Sequence, residues 1–200
     1  MIFSERIRSR DPVLCYIYNN RDINSFNDPL FFLINHESYL TVMPMIRYLS
    51  DKQIIELNRV SLGITREKNK IHLIQPDDLR FIMRFTEKNF GTNIIRKALA
   101  YCIAIITLHP FKNGNHRTSL LTAEEFLRQN NFESMTNDQK DLELQKWRII
   151  YEQDHDLERE FFRITNLEDE KERTKELKIV MTSEYGKTIE KWFNENFKLQ

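Results

Sequence analysis

Apolar residues recur three and four positions apart from about residue 50 to the end of the chain, so helices are expected to carry the fold. The pattern sharpens at Ser50. "SDKQ" reads as a capping box with Ser50 as N-cap and Gln53 three residues on, and Ile54, Leu57 and Ser61 then share one face. Gly63 is the expected stop of this helix. "ITREKNKIHLI" (64–74) is β-branched at both ends with a polar centre, which predicts a small hairpin or extended flap. Pro76, Asp77 and Asp78 suit the first turn of a second helix, ended by Gly91. Residues 92–108 follow, apolar on every side from Ala98 onward, which predicts the central helix of a bundle. "HRTSLLTAEEFLRQNN" predicts another helix with Leu120, Leu121, Phe126 and Leu127 inward, ending at Asn130 and Asn131. Beyond Asp138 the pattern is helical again. Leu144, Trp147 and Tyr151 share a face, as do Leu157, Phe161 and Ile164, and Ile189, Trp192, Phe193 and Phe197 mark a last helix. The charge run 168–178 reads as a solvated helix face with pairs such as Asp169–Arg173. Residues 1–44 hold only short apolar runs between turn-rich segments, compatible with short strands or short helices.

Composition narrows this picture in three ways. Two hundred residues with only four glycines and five prolines favour one domain of long regular elements. Thirty basic and thirty acidic residues balance, so no nucleic-acid partner is expected. Cys15 and Cys102 have no metal-ligand spacing, the first residues lack the apolar region of a secretory signal, and the apolar run 98–108 is too short to span a bilayer. A cytoplasmic protein that does not enter a membrane is expected.

The chemistry concentrates in "HPFKNGNHRTSLL", 109–121, directly after the most apolar segment. Such a loop sets side chains at the end of a rigid core. Its Asn113–Gly114–Asn115 stretch opens a helix, where outward backbone N–H groups and glycine can make an anion nest. Arg117 lies one turn inside, suited to phosphate oxygens. His109, at the other end, can accept a proton from an attacking hydroxyl near neutral pH. The bare chemistry is a phosphate cradle plus a general base. The plain alternative is a His-Pro helix terminator and a solvated arginine. No GxxxxGK[ST], HExxH or GxSxG is present.

The stretch resembles the signature of the Fic/Doc (Fido) family, H-P-F-x-[D/E]-G-N-G/K-R-x-x-R/L, through His109, Pro110, Phe111, Gly114, Asn115 and Arg117. "RTSLLTAEEFL" is similar to the continuation found in the death-on-curing (Doc) branch, and residues 45–131 are covered in all. The resemblance implies an all-α Fido-type helical bundle with a short β-hairpin flap. It divides the chain into an N-terminal extension (1–44), a core (45–131) and a C-terminal helical extension (132–200). It implies ATP and Mg as cofactors. His109 would be the catalytic base. Gly114, Asn115, His116 and Arg117 would meet phosphate, Asn113 would take the place of the metal ligand, and Ile64, Thr65, Ile71 and Leu73 would lie in a flap that docks the target. A protein substrate is implied, by family analogy a translation factor, with an antitoxin as a further partner.

Three departures from the signature bear on activity. Asn113 replaces the acidic metal ligand, so an uncharged oxygen would face the cation. His116 replaces the glycine of AMP-transferring members, as lysine does in the Doc branch, and Leu120 replaces the last arginine. The expected activity is therefore toxin-like transfer of a phosphoryl group to a hydroxyl of a cytoplasmic protein. The alternatives are a protein adenylyltransferase, and a catalytically silent Fido fold kept as a binding or regulatory module. No [S/T]xxxE[G/N] inhibitory pattern occurs in the chain.

Overall fold

The computed structural model describes residues 45–64, 75–135, 145, 146, 148 and 157–200. The N-terminal extension, the flap positions Thr65, Ile71 and Leu73, and the apolar positions Leu144, Trp147 and Tyr151 lie outside the described residues. Helices dominate: α1 (Asp51–Ile64), α2 (Pro76–Lys88), α3 (Ile94–Leu108), α4 (Asn115–Gln129), α5 (Glu158–Thr165), α6 (Glu170–Thr182) and α7 (Glu184–Asn196). The fold is all-α, and the described residues add one small antiparallel pair between β1 (Phe132–Ser134) and β2 (Phe197–Leu199).

The predicted caps form. Ser50 Oγ accepts from the Gln53 N–H at 3.3 Å while Gln53 Oε1 accepts from the Ser50 N–H at 2.9 Å, the reciprocal bonds of a capping box. Pro76 opens α2, and the Asn93 side chain caps α3 through the Arg96 N–H at 2.9 Å. Three boundaries differ from expectation. Gly63 lies inside α1, which runs on to Ile64, so Ile64 closes a helix rather than opening a hairpin. α2 stops at Lys88, because Asn89 turns to extended backbone and Phe90 and Gly91 both take positive φ. Phe197 leaves the last helix and starts β2, which pairs Ser134 with Phe197 and Phe132 with Leu199.

α3 is the axis of the bundle. Every residue from Lys97 to Leu108 is buried. It packs on α2, α4, α5, α6 and α7, which is why no polar face survives in its sequence. Each leucine or isoleucine buried there contributes about 1.5–3 kcal/mol relative to exposure. The one charged exception, Lys97, donates its ammonium to the carbonyls of Thr86, Glu87 and Asn89 and lies 5.2 Å from the centre of the Tyr48 ring. Burial lowers its pKa, and the three carbonyls at the end of α2 hold its three protons.

The C-terminal helices share this core. Thr165 on α5 donates to the Thr107 carbonyl at 2.9 Å, near the end of α3. The charge run of α6 is not wholly a solvated face. Asp169 caps α6 through the N–H groups of Lys171 and Glu172, and Arg173 turns away from it. The Arg173 guanidinium reaches Asp78 on α2 at 2.6 Å, donates to the Leu167 and Thr165 carbonyls, and lies 5.4 Å from the centre of the Phe81 ring. Asp78 and Arg173 are both largely buried, so tertiary structure supplied a better partner than the neighbour four residues away.

Candidate functional site

The loop 109–114 joins α3 to α4, and its shape follows from its sequence. A residue before proline is driven out of the right-handed helical region, so α3 cannot continue through His109. His109 takes the left-handed conformation (φ 47, ψ 55) and caps the helix, its N–H donating to the Ile105 carbonyl at 3.1 Å. Glycine is the usual occupant of that cap; a residue with a β-carbon is strained there by about 1–2 kcal/mol. The histidine is exposed, and Pro110 and Phe111 behind it are buried. Phe111, at 2% exposure, anchors the loop in the core.

The loop backbone is held from behind by several elements. Gln75, just before α2, donates its N–H to the Pro110 carbonyl at 3.1 Å. The Asn115 amide clamps Phe111, accepting from its N–H at 3.0 Å and donating to its carbonyl at 2.7 Å. Asn58 of α1, fully buried, donates to the Asn113 carbonyl at 2.9 Å and to Thr118 Oγ1 at 3.0 Å. Ser61, one turn on, donates to the Asn58 carbonyl and contacts Thr118 Oγ1 at 3.3 Å. Gly114 (φ 75) sits against this polar cluster. A β-carbon there would come within 2.9 Å of Ser61 Oγ and 3.2 Å of Leu62 Cδ2. Glycine is thus required twice, for its backbone angle and for the approach of α1.

The residues able to do chemistry include a pair of histidines. The His109 and His116 rings meet edge to face with centres 5.5 Å apart. Lys112 is exposed, and Asn113, His116 and Arg117 are half-buried. Gly114 has no side chain to cap α4, and the first N–H groups of any helix lack partners within the helix. The loop therefore combines two imidazoles, a helix N-terminus and two fixed cations within nine residues. The Asn115 side chain serves the loop itself, so what it offers an anion is its backbone N–H. Leu120, where the signature allows arginine or leucine, is buried at 5% exposure and suits an apolar residue.

The donor set fits a hard dication poorly: residues 109–117 contain no aspartate or glutamate, so any side-chain oxygen they offer is uncharged, that of Asn113 included. Among the described residues no group of three or more His, Cys, Asp or Glu side chains is placed to hold a metal.

Asn113, Gly114, Asn115, His116, Arg117 and His109 are brought together by the loop. Ile64 stands apart from them in sequence, at the end of α1, and Thr65, Ile71 and Leu73 lie outside the described residues. The supports Asn58, Ser61, Gln75 and Thr118 were not anticipated as part of the site. The available signal was polar: Asn58 and Ser61 interrupt the apolar face that Ile54 begins on α1.

Residues 45–127 match the model of the Fic/DOC family, whose members are typically transferases. No curated protein and no solved structure matches the chain.

Proposed function

We propose that the protein transfers a phosphoryl group from ATP to a hydroxyl of a protein substrate at the 109–117 loop. The observation that carries this reading is His109. An exposed histidine occupies a left-handed helix cap that glycine would fill without strain, and strain of this kind gathers where function requires the side chain. A match to a family of transferases covers the same loop. In the proposed step the substrate hydroxyl attacks the γ-phosphorus, His109 takes the hydroxyl proton, and the bond from the γ-phosphorus to the bridging oxygen breaks, releasing ADP. Phosphate oxygens meet the backbone N–H groups that open α4, with Arg117 beside them. His116 would fill the space that glycine leaves open in AMP-transferring members, which favours phosphoryl over AMP transfer.

Asn113 supports one rival reading, a bundle kept as a binding module without catalysis, since the acidic position of the signature is missing. Incubating the protein and a cell extract with ATP labelled at the α or the γ phosphate separates the readings. Label entering protein from γ alone is the expected result. Label from α means AMP transfer, and label from neither favours the silent module.

A further inference from the structure

We infer that the 109–117 loop binds its nucleotide without a divalent cation, a conclusion that rests on the phosphate-binding role just proposed. A carboxylate near a polyphosphate repels it, and a bridging cation is what makes the two compatible. Residues 109–117 hold no carboxylate to be bridged. Lys112 and Arg117 are the fixed charges of the loop, and both are positive. Position 113, where the signature places the acid, carries a neutral amide, and its backbone carbonyl is drawn back onto α1 by Asn58 at 2.9 Å. Among the described residues no group of three or more His, Cys, Asp or Glu side chains is placed to hold a metal.

The sign of the electrostatics then reverses from that expected of a metal-bridged site. Free ATP carries about four negative charges near neutral pH and its magnesium complex about two, so removing the cation strengthens the pull of Lys112 and Arg117 on the phosphates. The cations of the chain do the work that a bound metal would do, as guanidinium and ammonium groups commonly do for phosphate. The ligand class is a metal-free nucleoside polyphosphate. Its binding should weaken as salt rises, because the exposed Lys112 is open to screening.

The test is calorimetric titration of the full chain with ATP at matched ionic strength, once with excess magnesium chloride and once with a chelator. The expected result is a metal-free Kd equal to or up to about fivefold tighter than that with magnesium, since two extra ligand charges act on two loop cations. Asn113→Asp should invert the preference, weakening metal-free binding by about tenfold and making magnesium favourable. Tenfold or greater tightening of the wild type by magnesium would overturn the inference and leave the phosphate site standing. No preference change in Asn113→Asp would show that position 113 does not set metal dependence, and would also overturn it. Absence of ATP binding under both conditions would remove the phosphate site and the inference together.

Discussion

The two ends of α3 solve the same problem differently. At its N-terminal end the turn from α2 takes two positive-φ residues, Phe90 (φ 69) and Gly91 (φ 52). At its C-terminal end the loop to α4 also takes two, His109 (φ 47) and Gly114 (φ 75). The first turn is closed largely by residues near it in sequence. Lys97 spends its ammonium on the carbonyls of Thr86, Glu87 and Asn89, the Asn89 amide donates to the Phe85 carbonyl, and Arg96 lies over the Phe90 ring. Its buried cation is consumed by the fold. The second loop is gripped from behind by Gln75, Asn58 and Asn115, and Thr165 holds the Thr107 carbonyl just upstream. Its His109 and Lys112 are exposed, and its His116 and Arg117 half-buried. A turn that satisfies itself is finished structure, whereas a turn satisfied by its neighbours can present its own groups to a ligand.

The largest contrast should appear between the two glycines. Gly114→Ala meets both an unfavourable φ and Ser61 and Leu62, so unfolding in denaturant should show a loss of about 3 kcal/mol. Gly91→Ala meets nothing within 4 Å, and only the backbone strain of about 1 kcal/mol remains. Equal losses at the two positions would mean that the contact between α1 and the loop does not fix the loop.

Lys97→Met should come next. It keeps the apolar stem and strips three carbonyls of their donor, for a loss of about 2 kcal/mol in the same unfolding measurement. ATP affinity of the folded variant should not change, because this cation faces the end of α2. A change in affinity at constant stability would tie the two ends of α3 together functionally.

The half of this picture that depends on near neighbours could be read from the chain. The all-apolar run predicted α3 as the central helix, Ser50 and Asn130 marked helix ends through bonds within a few residues, and Pro76 did so through its fixed φ. The place of the loop between two helices was legible because the apolar run before it and the apolar spacing after it are both local. What escaped depends on distant partners. Asn58 reaches Asn113 across 55 positions, and Arg173 reaches Asp78 across 95, where a helical pattern proposed Asp169 instead. The end of α2 was misplaced because Gly91 looked like the stop, whereas the carbonyls of Glu87 and Asn89 are gathered by a lysine further along. The β1–β2 pair joins two three-residue segments, too short for a period of two to show.

His109 offers the most direct measurement, because strain and chemistry there predict opposite outcomes for one substitution. His109→Gly removes the β-carbon from a left-handed cap, so stability should rise by about 1 kcal/mol. The same change removes the proposed base, so transfer of γ-label from ATP to protein should fall about a hundredfold or more. Stability and transfer measured on one preparation of wild type and variant give the answer. A more stable, inactive variant is the predicted result. A variant that is less stable than wild type, or one that transfers label at the wild-type rate, would contradict the assignment of His109 as a residue held in strain for catalysis.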